Sequence, residues 1–205
     1  MPHRHKKVII ADDHSIVRLG LVMMLQELGC KHIVEVSSCK ELLSSLAKDD
    51  YDYLILDLIM GDGNAMEIIP VIQLSHPNLS ILVHSMQPES VYGKLIKRYG
   101  AVAYLSKTAS EIELKQKLVR FLSGESLDEP EVAVRYTANP FSQLSVRELE
   151  VLHYLLNGHG TKQMSGVLGI KMNTISTIKA VIFQKLKVET IPQLLQLADI
   201  HQINY

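Results

Sequence analysis

Five polar side chains follow directly on short apolar runs, and together they could do phosphoryl chemistry. Asp12 and Asp13 follow Val8–Ala11, Asp57 follows Tyr53–Leu56, Ser85 closes the run Ile81–His84, and Lys107 follows Ala103–Ser106. Clustered carboxylates repel one another unless a cation neutralises them, and hard oxygen donors with room for water suit Mg2+. A carboxylate beside Mg2+ and a lysine is well placed to attack a phosphoryl group and form an acyl phosphate. Each residue has a simpler role in isolation. A strand-end aspartate commonly caps the next helix, a serine begins a turn, and a lysine is solvated. The weight lies in their conjunction.

The elements that must position them alternate in type. Val8–Asp12, Ile33–Ser37, Tyr53–Leu58, Ile81–Ser85 and Val102–Ser106 read as five strands, with amphipathic segments at 16–28, 40–48, 65–74, 88–99 and 110–122. Five such units imply an α/β fold whose parallel sheet is buried on both faces, so its strands are nearly continuous apolar runs. Ligands of open parallel sheets bind at the carboxyl ends of the strands, where all five polar residues fall.

The pattern stops near Ser123. Residues 125–140 carry four acids against one arginine, with prolines at 130 and 140, and read as a linker between a domain at 1–124 and another at 141–205. Beyond Phe141 only helices are expected. Ser145 and Glu148 form a capping box before a helix bearing Leu149, Leu152, Leu155 and Leu156, which Gly158 ends. Thr161–Leu168 forms a second helix closed by Gly169, and a third runs from Thr174 to Leu186 with Ile175, Ile178, Ile182 and Leu186 inward. Its other face carries Asn173, Ser176, Thr177, Ala180 and Gln184, with lysines 171, 179, 185 and 187 around it. Such a surface fits a major groove, with side chains on base edges and lysines on phosphates. Lys162 and Thr174 complete the candidate DNA contacts, and Ile191–Ile200 is a last helix with one apolar face.

Composition bounds the rest. The net charge is −1; residues 1–124 balance 14 bases against 14 acids, and 141–205 carry six bases against four acids. That mild basicity permits DNA binding by two copies on one site rather than tight binding by one. Cys30 and Cys39 offer neither a disulfide framework nor a metal cluster, and the nine histidines show no metal-ligand spacing. No apolar run is long enough for a bilayer and no secretory leader is visible, so a cytoplasmic protein without membrane contact is expected.

Residues 6–123 resemble the receiver domain of response regulators, through IIADDH at 9–14, LILDLIM at 54–60, Ser85 after ILVH, and AYLSK at 103–107. The resemblance implies a flavodoxin-like fold with a five-stranded parallel sheet in the order 2-1-3-4-5. It makes Asp57 the phosphoacceptor, with Mg2+ on Asp12, Asp13, Asp57 and the backbone carbonyl of Ile59. Lys107 pairs with the phosphoryl oxygens, Ser85 hydrogen-bonds to them, and Tyr104 is the aromatic that turns inward in response. Two departures stand beside the acceptor: the usual proline after Met60 is Gly61, and the usual glycine four residues on is Ala65, with glycine at 63 instead.

Residues 144–188 are similar to the LuxR-type helix-turn-helix of the NarL/FixJ family, through LSVRELEVL, LNG at 156–158, Lys162–Met164, Thr174–Ile175 and KLKV at 185–188. Lys171 stands where that family caps its recognition helix with Ser or Thr, and Ile178 where histidine is frequent. The joint resemblance implies a switch rather than an enzyme with turnover, with a sensor histidine kinase, promoter DNA, a second copy and RNA polymerase as candidate partners. The last helix is implied to be a dimer contact. An alternative keeps the DNA-binding domain but makes the receiver a phosphorylation-independent dimerisation module. A haloacid dehalogenase-type phosphohydrolase fits worse, because it needs Asp-x-Asp where this chain has an adjacent pair.

Overall fold

The structure, a computed structural model, describes residues 5–87, 89–125, 139–201 and 203. The chain divides into two compact units, residues 1–134 and 135–205. The expected linker falls largely outside the described residues.

The first unit runs β1 (Lys7–Ala11), α1 (Ser15–Glu27), β2 (His32–Val36), α2 (Cys39–Leu46), β3 (Tyr53–Leu56), β4 (Ile59–Met60), β5 (Gly63–Asn64), α3 (Ile69–Ser75), β6 (Ser80–Ser85), α4 (Glu89–Arg98), β7 (Ala103–Ser106) and α5 (Glu111–Ser123). Its sheet is parallel throughout, in the order β2-β1-β3-β6-β7. This is the expected 2-1-3-4-5 order once β4 and β5, an antiparallel ribbon outside the sheet, are set aside. β3 is buried throughout, as an inner strand covered by helices must be. The edge strand β2 departs from that expectation: His32 and Glu35 face solvent.

The apolar face beneath α1 and α5 joins Val8, Ile10, Ile55, Leu82 and Leu105 to Leu21, Leu25, Leu118 and Phe121. Tyr53 packs edge-on against Phe121 at 5.1 Å, and its hydroxyl donates to the Leu122 carbonyl at 2.7 Å, so the phenol is buried without an unmade bond. Strand alternation matters for function. Continuing from Ile10, Ile55, Leu82 and Leu105 by two residues each, it brings Asp12, Asp57, His84 and Lys107 to the same face at the carboxyl ends.

The helix expected at 65–74 is split. Asn64 accepts the Met66 amide at 3.0 Å and starts a 3-10 turn at Ala65–Glu67; α3 then begins at Ile69, with Pro70 in its first turn, where a missing N–H costs nothing.

The second unit contains a 3-10 turn (Pro140–Gln143) and helices α6 (Val146–Leu156), α7 (Thr161–Leu168), α8 (Met172–Leu186) and α9 (Ile191–Ile200). Ser145 and Glu148 form the expected capping box. Gly158 and Gly169 take the left-handed conformation, at φ +75° and +64°, just beyond the helices they end. Phe141, Leu149, Leu152, Met164, Ile175, Ile182, Leu186 and Leu194 are buried in this unit. Ile178, expected inward with them, is only half-buried. No single described helix is long and apolar enough to cross a membrane.

Candidate functional site

The four strand ends converge as their sequence positions require. The Lys107 ammonium lies 2.7 Å from Asp12 Oδ2 and 2.7 Å from Asp57 Oδ2, and all three side chains are almost wholly buried. Burial works against the ammonium, but the two carboxylates outweigh it and raise the Lys107 pKa. Burial pushes the Asp57 carboxyl up, with Lys107 opposing and Asp12 reinforcing the rise. Asp57 is held from both sides: its amide donates to the Ala11 carbonyl at 2.8 Å, and Oδ1 accepts a long 3.5 Å bond from Ile59 N–H.

Asp13 is the more accessible acid, and it meets His14 Nδ1 at 2.7 Å. One ligand atom from each of Asp12, Asp13, His14 and Asp57 lies within 4.8 Å of the others. Three carboxylates at this spacing fit a hard divalent cation such as Mg2+. The Ile59 carbonyl, the fourth ligand that the resemblance implies, belongs to the ribbon of β4 and β5. Ala65 N–H bonds to the Leu58 carbonyl at 2.7 Å, so residues 58 and 65 form a hydrogen-bonded pair of the antiparallel ladder. The next pair, Ile59 and Asn64, is then non-bonded, and the ribbon does not use the Ile59 carbonyl.

Ser85 and Tyr104 lie on the adjoining strands β6 and β7, both buried. Ser85 Oγ accepts the Gln87 amide at 3.4 Å, and the Tyr104 hydroxyl donates to the Gln87 carbonyl. Tyr104 therefore already lies inward, the position expected of it on phosphorylation, with its phenol pushed to high pKa chiefly by burial.

In the second unit α7 and α8 meet at 110° across the short turn that holds Gly169, a helix-turn-helix geometry. Lys162, Lys171, Asn173, Thr174, Ser176, Thr177, Ala180 and Gln184 are exposed, and Lys179 is half-buried with its ammonium 5.3 Å from the Phe183 ring. Ser176 and Thr177 back-bond to the Met172 and Asn173 carbonyls at 3.1 and 3.0 Å, which fixes their rotamers on the exposed face. Lys171 begins α8 with no side-chain cap. Lys185, expected among the lysines around this face, has a partner within the unit. It is spent on Glu148, 2.7 and 2.9 Å away, and so staples α8 to the start of α6. Burial opposes ionisation of Glu148, but Lys185 and the Ser145 cap outweigh it and hold the carboxyl low.

Comparison with known proteins agrees with both halves. The family model of the response regulator receiver domain matches residues 8–119, and that of the bacterial regulatory proteins of the luxR family matches residues 142–198. The chain belongs to the NarL/FixJ response regulators. It is 26% identical to response regulator GacA of Pseudomonas aeruginosa, over 95% of this chain and 96% of that one. Oxygen regulatory protein NreC of Staphylococcus carnosus is 28% identical over 94% and 96%. Among solved structures, RcsB of Salmonella enterica serovar Typhimurium bound to promoter rprA with phosphomimetic BeF3- superposes with a TM-score of 0.77 at 27% identity, covering 95% of this chain and 98% of that one. This response regulator is a DNA-binding transcription regulator.

Three contacts in its receiver escaped the sequence reading. His14 joins the acidic cluster, signalled only by its place next to Asp12-Asp13. Arg18 donates to the Asp12 carbonyl at 2.6 Å and fixes the loop after β1, one helical turn on from His14. Asp62 accepts the Cys39 and Lys40 amides at the start of α2, and no periodicity announces that contact. Cys30 and Cys39 are free thiols, as expected.

Proposed function

We propose that a histidine kinase phosphorylates Asp57 and that the phosphorylation state governs dimerisation and sequence-specific binding to promoter DNA. The observation that carries this reading is the pairing of Lys107 with both Asp12 and Asp57 at 2.7 Å in a buried crevice. An Asp57 oxygen attacks the phosphorus of the donor phosphohistidine; the O–P bond forms as the P–N bond breaks, and water later hydrolyses the aspartyl phosphate. Asp12, Asp13, Asp57 and the Ile59 carbonyl would hold Mg2+, which would supply the positive charge that lets phosphoryl oxygens enter an acidic site. Lys107 moves from carboxylate to phosphoryl oxygen without losing an ionic partner. Ser85 donates its hydroxyl to the phosphoryl group, and Tyr104, already inward on the Gln87 carbonyl, packs behind it. The chain modifies only itself, so it is a switch and not an enzyme with turnover.

Two surfaces support the output. Ile16, Leu19 and Met23 form an exposed apolar stripe along α1, suited to a second copy. The α8 face offers Asn173, Thr174, Ser176, Thr177, Ala180 and Gln184 to base edges, with Lys162, Lys171 and Lys179 on phosphates. A histidine kinase upstream and RNA polymerase downstream complete the set of partners.

Promoter binding by the wild type, with and without a small phosphodonor, and by Asp57→Asn tests the reading. Phosphorylation should tighten binding by the wild type and leave Asp57→Asn unmoved. Equal affinities in all three would transfer the function to a receiver that acts only as a dimerisation module.

A further inference from the structure

We infer that Asp62 is a positioning residue for the cation-binding loop, a clasp that holds the β4–β5 ribbon against α2. The inference rests on the proposed Mg2+-dependent chemistry of Asp57. It starts from the two departures in sequence, Gly61 and Ala65, which leave the loop after the phosphoacceptor with glycines at 61 and 63. Gly63 has φ +154°, and each ribbon strand is two residues long. A two-strand ribbon this short has little stability of its own. Its base is buried through Met60 and Ala65, but its tip, Gly61-Asp62, is exposed.

The tip is nonetheless tied down. Asp62 Oδ1 accepts the Cys39 amide at 2.9 Å and Oδ2 accepts the Lys40 amide at 3.0 Å. These are first-turn amides of α2, which have no partner within the helix. A carboxylate there also meets the positive end of the helix dipole. Burial opposes its charge, yet the Cys39 and Lys40 amides hold the Asp62 carboxyl below its usual range. Ser38 caps the same helix through Glu41 N–H, so the Ser38 and Asp62 bonds do not compete for one donor.

The clasp bears on the cation through geometry. A Cβ at Gly61 would lie 3.7 Å from Asp13 Oδ2, so the ribbon tip runs beside the acidic cluster. On one side of that tip is Asp13; on the other, Asp62 grips α2. Three residues before Asp62, in the same short ribbon, is Ile59, whose carbonyl the ladder leaves unused. Releasing the tip lets Ile59 drift and costs the cation one of its oxygen ligands. Asp62 thus acts through Ile59 rather than on the phosphoryl group itself.

The test is an Mg2+ titration of the full-length protein by calorimetry, with hydrogen exchange of residues 58–66 in metal-free protein as a second readout. Asp62→Ala should weaken Mg2+ binding roughly tenfold, the scale on which outer-shell partners act. Asp62→Asn, which keeps one acceptor oxygen, should fall between. The ribbon amides should exchange several-fold faster in Asp62→Ala, while those of β1 and β3 keep their wild-type rates. Wild-type Mg2+ affinity and wild-type ribbon exchange in Asp62→Ala would overturn the inference. If wild type binds no Mg2+ but ribbon exchange still responds to Asp62, the proposed chemistry fails and the clasp stands. Should Asp62→Ala unfold, the graded response of Asp62→Asn decides.

Discussion

Replacing Lys107 by alanine removes a cation that lies on both Asp12 and Asp57. The Lys107 side chain is 6% exposed and its ammonium lies 2.7 Å from each carboxylate, so its loss leaves two buried acids facing one another. Removing one partner of a buried ion pair costs about 3–5 kcal/mol. Here the low end applies, about 3 kcal/mol, because Asp57 can take up a proton and relieve the repulsion. For a receiver of this size that is a fall in Tm of about 10 °C near neutral pH. The sign of the pH dependence follows from the two groups. Lys107 has a raised pKa, so its contribution is complete below the ordinary lysine value of 10.5 and is lost only above it. Asp57 also has a raised pKa, so its ionisation disfavours the fold as pH climbs through that value; without Lys107 the rise is greater. The deficit of Lys107→Ala should therefore shrink as pH falls from neutral into the acid range, because Asp57 takes up its proton sooner in the variant than in wild type. Added Mg2+ should recover part of it at neutral pH. Thermal unfolding followed by circular dichroism, at neutral and at acid pH and with and without Mg2+, reads all of this. An unchanged Tm at neutral pH, or a deficit that does not vary with pH, would refute the reasoning.

His84 is buried beside the site, with Nδ1 unpartnered and its pKa pushed down to about 4 by burial and Lys107. The stability it contributes as a neutral ring is present above the ordinary histidine value and lost as pH falls through about 6.5 toward 4, so His84→Leu should flatten the acid limb of the receiver's unfolding curve. Lys162→Ala should weaken binding to all DNA sequences alike and lower the salt slope by about one. Lys185→Ala should leave the slope unchanged but destabilise the DNA-binding unit by roughly 1–3 kcal/mol, because Glu148 then keeps only its Ser145 bond, as urea unfolding would show. Lys187 closes α8 at φ +55°, a conformation that costs a side chain about 1 kcal/mol, so Lys187→Gly should raise the Tm of that unit.

The parallel sheet and its cluster were legible because they rest on local rules. Apolar runs of strand length mark the strands, and two-residue alternation carries Ile10 to Asp12, Ile55 to Asp57 and Leu105 to Lys107 on one face. Helix ends were equally legible at Ser145, Gly158 and Gly169, where cap and left-handed turn leave residue-type signatures. What escaped depends on contacts between distant positions. Lys185 reads as one more basic residue on a polar face until Glu148, thirty-seven residues away, is placed beneath it. Asp62 reads as a turn residue until α2 is placed against it. The ribbon of β4 and β5 has no signal of its own, since two residues cannot show a period. The split before α3 is set by the Asn64 cap and by Pro70, and the apolar spacing across 65–74 masks it.

The central claim is that Asp57 accepts a phosphoryl group. Intact mass of the purified protein, after incubation with Mg2+ and a small-molecule phosphodonor, tests it directly beside Asp57→Ala. The wild type should gain a single phosphoryl group, lost again in alkali as an acyl phosphate, and the variant should gain none. An unmodified wild type, under conditions that phosphorylate a control receiver, would contradict the account.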